Sequence, residues 1–142
     1  MFNTYSFQDL NANLSHPGVG QITLNGEGTG SITIAMSNDV SAHDVSADGS
    51  VMVSKIKADN GTIAISVQQS SPLNKWLNKL YNYCKTANAG EWAKASILLR
   101  HLTLGENTTC TGVSFQKRAD KPYQAQGQQV TWNLMAANIE HN

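Results

Sequence analysis

The 142 residues carry as many acids as bases, but the two signs are segregated along the chain. Residues 1–54 hold Asp9, Glu27, Asp39, Asp44 and Asp48 with no Lys or Arg, a formal charge of −5, and the remainder answers with ten bases against five acids. Fixed negative charge on the first third disfavours holding a nucleic-acid backbone there, and in a self-assembling protein it favours docking of acidic faces onto basic ones.

The length suits one domain with its own core, taken as residues 1–142. Only 14% of residues are charged, a composition suited to surfaces that become covered. The start, Met1-Phe2-Asn3-Thr4, lacks the features of a secretory signal, and no apolar run approaches membrane-spanning length, so a cytosolic site of synthesis is expected. Cys84 and Cys110 have no CxxC spacing and are expected to be reduced, with Cys84 a small buried hydrophobe.

In chain order, Asn25-Gly26, Asp48-Gly49 and Asn60-Gly61 each supply the residue types of a tight hairpin turn. Around them, Ser31 to Met36 and Thr62 to Val67 alternate with period two. Ile32, Ile34 and Met36 share one face of the first run, and Ile63, Ile65 and Val67 one face of the second. The opposite faces, Ser31, Thr33, Ala35 and Thr62, Ala64, Ser66, are small and mildly polar, suited to water or a wide channel and too smooth for a ligand pocket.

Ser71 and Pro72 then open a helix whose apolar stripe is Leu73, Trp76, Leu77, Leu80, Tyr81 and Cys84. The other face carries Asn74, Lys75, Asn78, Lys79, Asn82 and Lys85; so few bases fit a cover over a sheet better than a membrane-surface helix. Thr86 to Ala95 reads as a connector. Strands resume over Ile97 to Leu104, Thr109 to Gln116 and Gln129 to Ala137, the last with Val130, Trp132, Leu134 and Ala136 on one face. About eight strands and one helix predict a mainly β fold, an antiparallel β-sandwich or partly closed barrel with one flanking amphipathic α-helix.

No pattern of catalytic or cofactor chemistry emerges, and neither a cofactor nor a metal is expected. Gly26-Glu27-Gly28-Thr29-Gly30 precedes a strand where a phosphate loop would open a helix, so a hairpin or bulge is expected there. His16, His43, His101 and His141 lack zinc-site spacing, and His43-Asp44 has no nucleophile beside it. Lys117, Arg118 and Lys121 with Tyr123 form a basic, aromatic turn suited to an acidic neighbour, such as another copy's N-terminal half. A carbohydrate-binding β-sandwich is a competing reading, but with Trp76 and Trp132 on buried faces only Trp92 is left for an aromatic platform.

Several strings together carry a resemblance. Tyr5 to Leu10, His16-Pro17-Gly18-Val19-Gly20, Gly26 to Ile32, Ala42 to Val45, Ala47 to Lys55 and Lys121 to Asn133 resemble the tail tube proteins of contractile-tailed bacteriophages. That resemblance implies a non-enzymatic virion protein, assembled in the bacterial host cytoplasm, whose six-subunit rings stack into a hollow tube inside a contractile sheath. DNA passes through the lumen without specific binding. The implied partners are further copies of the chain, the sheath protein, and the baseplate and tail terminator proteins, with no membrane. A tube of a secretion system or of a phage-tail-like bacteriocin shares the architecture.

On this reading Ser31, Thr33, Thr62 and Ser66 are expected to face the channel, with carboxylates on the wall keeping DNA from sticking. The N-terminal arm, Met1 to Asn13 with Tyr5, Phe7 and Asp9, is expected to contact the next subunit or ring. So is the Asn38 to Ser50 region with Asp39, His43, Asp44 and Asp48, and so are Lys117, Arg118 and Lys121.

Overall fold

In the computed structural model, which describes residues 2–142, the strands are β1 (Leu10–His16), β2 (Gly20–Thr23), β3 (Thr29–Met36), β4 (Ser41–Val45), β5 (Val51–Lys55), β6 (Gly61–Gln68), β7 (Ala95–His101), β8 (Glu106–Lys117) and β9 (Gln129–His141). One α-helix, α1 (Pro72–Thr86), follows β6, and short 3-10 turns occupy Phe7–Asp9 and Ala89–Glu91. Met1, the first residue of the expected N-terminal arm, lies outside the described residues.

Seven strands form one antiparallel sheet in the order β2-β1-β7-β8-β9-β6-β3, and β4 pairs only with β5. Chain connectivity forces this sheet to curl. Its margins, β2 and β3, are joined by residues 24–28 alone, which reach about 20 Å when fully extended. Laid flat, seven strands would separate those margins by roughly 29 Å. The sheet is accordingly a half-barrel, the partly closed alternative to a sandwich. Register shifts in β8, against β7 near Gly112 and against β9 near Gln116, sharpen the bend.

Period-two alternation puts Ile63, Ile65, Val67, Val113, Phe115, Val130, Trp132 and Leu134 on the inner face, where all are buried. α1 closes the open side, touching both β2 and β6. Ser71 caps it by accepting the Leu73 N–H at 3.2 Å and donating its hydroxyl to the Glu27 carbonyl at 2.6 Å, and Pro72 occupies the first turn. Leu73, Leu77, Leu80 and Cys84 are buried beneath it, each leucine contributing about 1.5–3 kcal/mol on removal from water. Trp76 and Tyr81 are half-buried against the same core. The Trp132 indole N–H donates to Asn74 Oδ1 at 2.9 Å, pinning the helix to β9.

Several local expectations are corrected. Of the three Asx-Gly pairs, only Asp48-Gly49 turns a hairpin; Asn25-Gly26 lies in the crossover between opposite margins, because β2 pairs with β1 and β3 with β6. Asn60-Gly61 opens β6, and its glycine answers a close approach: a Cβ there would stand 2.4 Å from the Ala35 carbonyl oxygen. The Gly26 to Gly30 stretch, expected as a hairpin or bulge, is the bulge, between Thr29 and Ser31. β7 stops at His101, where residues 102–105 turn into β8, and β9 runs on to His141. Met36, expected beside Ile32 and Ile34 on an inner face, is exposed because margin strand β3 outruns the core there.

Candidate assembly surfaces

The outer face of the half-barrel is built by the residues that alternate with its core. Cross-strand registers align Ser31, Ser66 and Thr131 in one row, Thr33, Ala64, Asn133 and Lys117 in the next, and Ala35, Thr62, Met135 and Ser114 in a third. Ser66 Oγ and Thr131 Oγ1 lie 3.2 Å apart. The four residues singled out in the sequence thus share one surface, and β9 extends it with Thr131, Asn133 and Met135. The signal for that extension was present in the sequence as the polar half of the Val130 to Ala136 alternation.

Their one charged side chain is Lys117, at the β8 end of the second row, and no carboxylate stands in them, which corrects the expected acidic wall. None of the five N-terminal carboxylates lies in the seven-stranded sheet: Asp9 is in the first 3-10 turn, Glu27 in the crossover, Asp39, Asp44 and Asp48 in the β4–β5 region. Of these carboxylates only Asp44 stands on a strand, and that strand, β4, lies outside the seven-stranded sheet.

β3 and β6 continue past the sheet as one ribbon ending in β4 and β5. Between the two halves the Ser37 N–H donates to the Asn60 carbonyl at 3.1 Å and the Ile56 N–H to the Val40 carbonyl at 2.9 Å, so two residues on one strand oppose three on the other. This bulge turns the tip away from the body. The result is an arm in which every strand residue is exposed, including Val45 at 65%, Val51 at 51% and Val53 at 63%. Val45 pairs with Val51 and His43 with Val53, which makes one apolar face at the tip. Gly49, at φ +89°, supplies the left-handed turn residue, and the Ser50 N–H donates to Asp48 Oδ1 at 2.9 Å. That backbone hydrogen bond holds the Asp48 carboxyl below its ordinary value of 3.8.

The basic turn lies at the other end of the half-barrel. β6 leaves the arm at Gly61 and reaches Gln68 opposite Gln129; β8 ends at Lys117 on that same side, and residues 118–128 and the start of α1 cap it. Arg118 faces inward: its guanidinium stacks over the Tyr81 ring at 4.5 Å and donates to Asn82 Oδ1. Lys117 and Lys121 are exposed, and so is the Tyr123 ring, at 85%.

In the N-terminal segment, Tyr5 stacks on His101 with centroids 5.2 Å apart, and His101 Nε2 is 3.0 Å from the Ser6 carbonyl. Phe7 and Leu10 line a groove with Ile32, Ile34, Leu99 and Leu104, while the Asp9 carboxylate accepts from the Thr103 hydroxyl. His16 is a second pin: its Nδ1 accepts the Gly18 N–H at 3.0 Å, so Nε2 carries the proton and donates to the Glu91 carbonyl at 2.9 Å. Both histidines are buried and tied to backbone; His43 stands on the arm, and His141 Nδ1 meets Thr108 Oγ1 at 3.0 Å. Burial raises the Cys84 thiol, with the Glu91 charge adding to it, and burial pushes Cys110 up to about 11. Trp92 packs edge-on against Tyr81 beside the core and forms no exposed platform.

The subunit thus presents a hydroxyl- and amide-rich face, an exposed arm and an opposed basic end. The model of the bacteriophage PhiTE tail tube protein family matches residues 2–142. The chain belongs to that family. It is a mainly β structural protein of the phage tail tube. No curated protein matches it in sequence.

Among solved structures, one similar chain is from the anti-feeding prophage cap, the tube-terminating cap, with a TM-score of 0.63 and 10% identity over 100% of this chain and 93% of that one. Another is from the six-fold symmetrised anti-feeding prophage baseplate, at TM-score 0.63 and 10% identity over 100% and 97%. A third is from the sheath–tube complex of the PVC extracellular contractile injection system in its extended state, at 0.53 and 11% over 93% and 88%. At these identities the likeness shows the fold.

Proposed function

We propose that this tail tube protein self-assembles into stacked hexameric rings forming the inner tube of a contractile phage tail, the conduit through which DNA is ejected. The observation that carries the reading is the arm: a two-stranded ribbon with an apolar tip and no partner among the described residues is marginal in water and gains stability when a neighbour covers it. The arm and the basic turn occupy opposite ends of the subunit, as a head-to-tail contact between two different patches requires. The free edges of β2 and β3 are a hazard for an isolated subunit, and neighbours around a ring remove it.

The rows containing Ser31, Thr33, Thr62 and Ser66, extended by Thr131 and Asn133, face the lumen. A hydroxyl and amide surface with a single neighbouring cation, Lys117 beside Asn133, offers DNA little to grip, so passage depends on weak attraction and not on the repulsion expected from the sequence. Tyr5, Phe7 and Asp9 contribute to contacts with the adjacent subunit, and Asp39, His43, Asp44 and Asp48 to contacts with the next ring. The subunit is non-enzymatic and works with sheath, baseplate and terminator proteins in the virion, after assembly in the host cytoplasm.

A second reading, a tube or tube-terminating subunit of an injection system or bacteriocin, is favoured by the fold shared with the anti-feeding prophage cap. Electron microscopy with mass measurement across protein and salt concentration tests the main reading. Six-fold rings or hollow tubes are the expected result, and a persistent monomer in the presence of a baseplate overturns it. Capsid and terminase genes beside this one would separate a phage tail from an injection system.

A further inference from the structure

The one cation among the hydroxyl and amide rows has a defined place. Lys117 ends β8 opposite Asn133 of β9, just past the register shift at Gln116, so the two side chains leave the same face of the sheet. Thr131 stands on that face two residues back along β9, its hydroxyl 3.2 Å from Ser66 Oγ. All three line one open cavity of about 380 Å³, with Asp120 and Gln129 also on its border. Asp120 does not neutralise the lysine by direct contact: among the described residues the one ion pair is Lys94–Glu91 at 3.1 Å.

The surroundings favour an anion there. From residue 107 to residue 139 the charged side chains are Lys117, Arg118 and Lys121 against Asp120, three bases to one acid. β3 and β6 carry no charge, and the carboxylates of β8 and β9, Glu106 and Glu140, stand at the other end of those strands. The kind of cation matters too. Arg118 is turned inward onto Tyr81 and Asn82, which leaves the wall an ammonium on a flexible stem. A lysine meets a phosphate as a point charge with three rotating donors, and so tolerates a moving partner that an arginine fork would hold in one geometry. Thr131 and Asn133 add neutral donors of the kind that contact phosphate oxygens without reading bases.

Resting on the tube reading above, we propose that Lys117, Thr131 and Asn133 form a phosphate-contact site on the lumen wall, which takes one phosphodiester group of passing DNA per subunit and is blind to its sequence. Asp120 moderates the site, because a carboxylate bordering the same cavity weakens the pull of the ammonium. Each contact is therefore weak and is exchanged as the DNA moves. Repeated in every copy around a ring, such contacts guide the DNA without holding it at any one point.

Binding of short duplex DNA across a range of salt, followed by NMR on the full-chain subunit and by co-sedimentation with assembled tubes, tests the site. On the subunit, Lys117→Gln is expected to weaken binding roughly threefold or more and to reduce the slope of log affinity against log salt by about 0.9, the value for one lost phosphate contact. The loss should be equal for A·T-rich and G·C-rich duplexes. Asp120→Asn is expected to act in the opposite direction and tighten binding, which damage to the fold would not do. Both positions are exposed, so thermal melting of each variant should match the parent. Resonances of Thr131 and Asn133 should shift with duplex DNA and stay in place with an uncharged methylphosphonate duplex, and Lys117→Gln tubes should retain less DNA than parent tubes. If parent tubes form but Lys117→Gln leaves affinity and salt slope unchanged, or the shifts fall on Lys75 and Lys121 and not on Thr131 and Asn133, the site is overturned while the tube reading stands. A parent protein that forms neither rings nor tubes overturns the tube reading and the lumen role together, even where the subunit binds duplex DNA through Lys117.

Discussion

The half-barrel and the arm are both antiparallel β-structure, and β3 of the body leads directly into the arm, yet they are held in opposite ways. In β6, every second residue is buried and the strand is paired on both sides, by β3 and β9. In β4 and β5, the same kind of alternation leaves every residue exposed and one edge of each strand unpaired. Strand pairing alone is therefore not what fixes a strand here. The body is stabilised by its own core before any neighbour arrives, whereas the arm's apolar tip has value only in contact with another copy.

The largest break in this contrast is expected in the body. Trp132→Ala removes the ring packed edge-on against Phe115 and the indole bond to Asn74, and should cost about 3–5 kcal/mol, read as a fall in denaturation midpoint of the isolated subunit. Retention of the parent midpoint would mean that the core does not depend on the β9–α1 joint. A smaller loss, about 1–3 kcal/mol, is expected for His101→Ala, which removes a buried ring and takes the imidazole partner from the Leu104 N–H and the Ser6 carbonyl. Hydrogen exchange should then rise at residues 5–7 and at the β7–β8 turn, and unchanged exchange there would remove the pinning role.

In the arm the sign of the comparison reverses. Val45→Ser with Val53→Ser should leave subunit stability within about 0.5 kcal/mol of the parent, because both side chains are already in water, while abolishing tube formation. A large drop in subunit stability would show instead that the arm folds back on its own body. The smallest effect concerns Asp48. Its folded-state carboxyl is lowered below 3.8, so its support of the turn is fully present above that pH and is lost as pH falls through the lowered value. An NMR titration of the free subunit should find Asp48 ionising below 3.8, and a midpoint at or above 3.8 would argue against the Ser50 hydrogen bond.

Much of the fold was legible because period-two and helical spacing report burial directly. Ile63, Ile65, Val67, Trp132, Leu134, Leu73, Leu77 and Leu80 were identified as core positions from spacing, and all are buried. Likewise Asp48-Gly49 was read as a turn, since a positive φ is a property of one residue. The Asn25-Gly26 and Asn60-Gly61 pairs misled for the complementary reason: a local signal marks a change of direction or a close approach but does not say which strands it joins. Similarly, Arg118 read as a free surface cation, and only the approach of Tyr81 and Asn82 from the helix turned it inward.

By itself, the sequence determined the strand and helix faces, the segregation of acids from bases, and the family's strings of turns and strands, because each depends on neighbours within a few residues. Tertiary structure alone decided that the five N-terminal carboxylates fall on the arm and turns outside the sheet, that β9 joins β3 and β6 in one hydroxyl- and amide-rich wall, and that the arm and the basic turn stand at opposite ends. Those are relations between segments far apart in the chain, set by a crossover too short to span a flat sheet and a bulge that turns the ribbon away from the body.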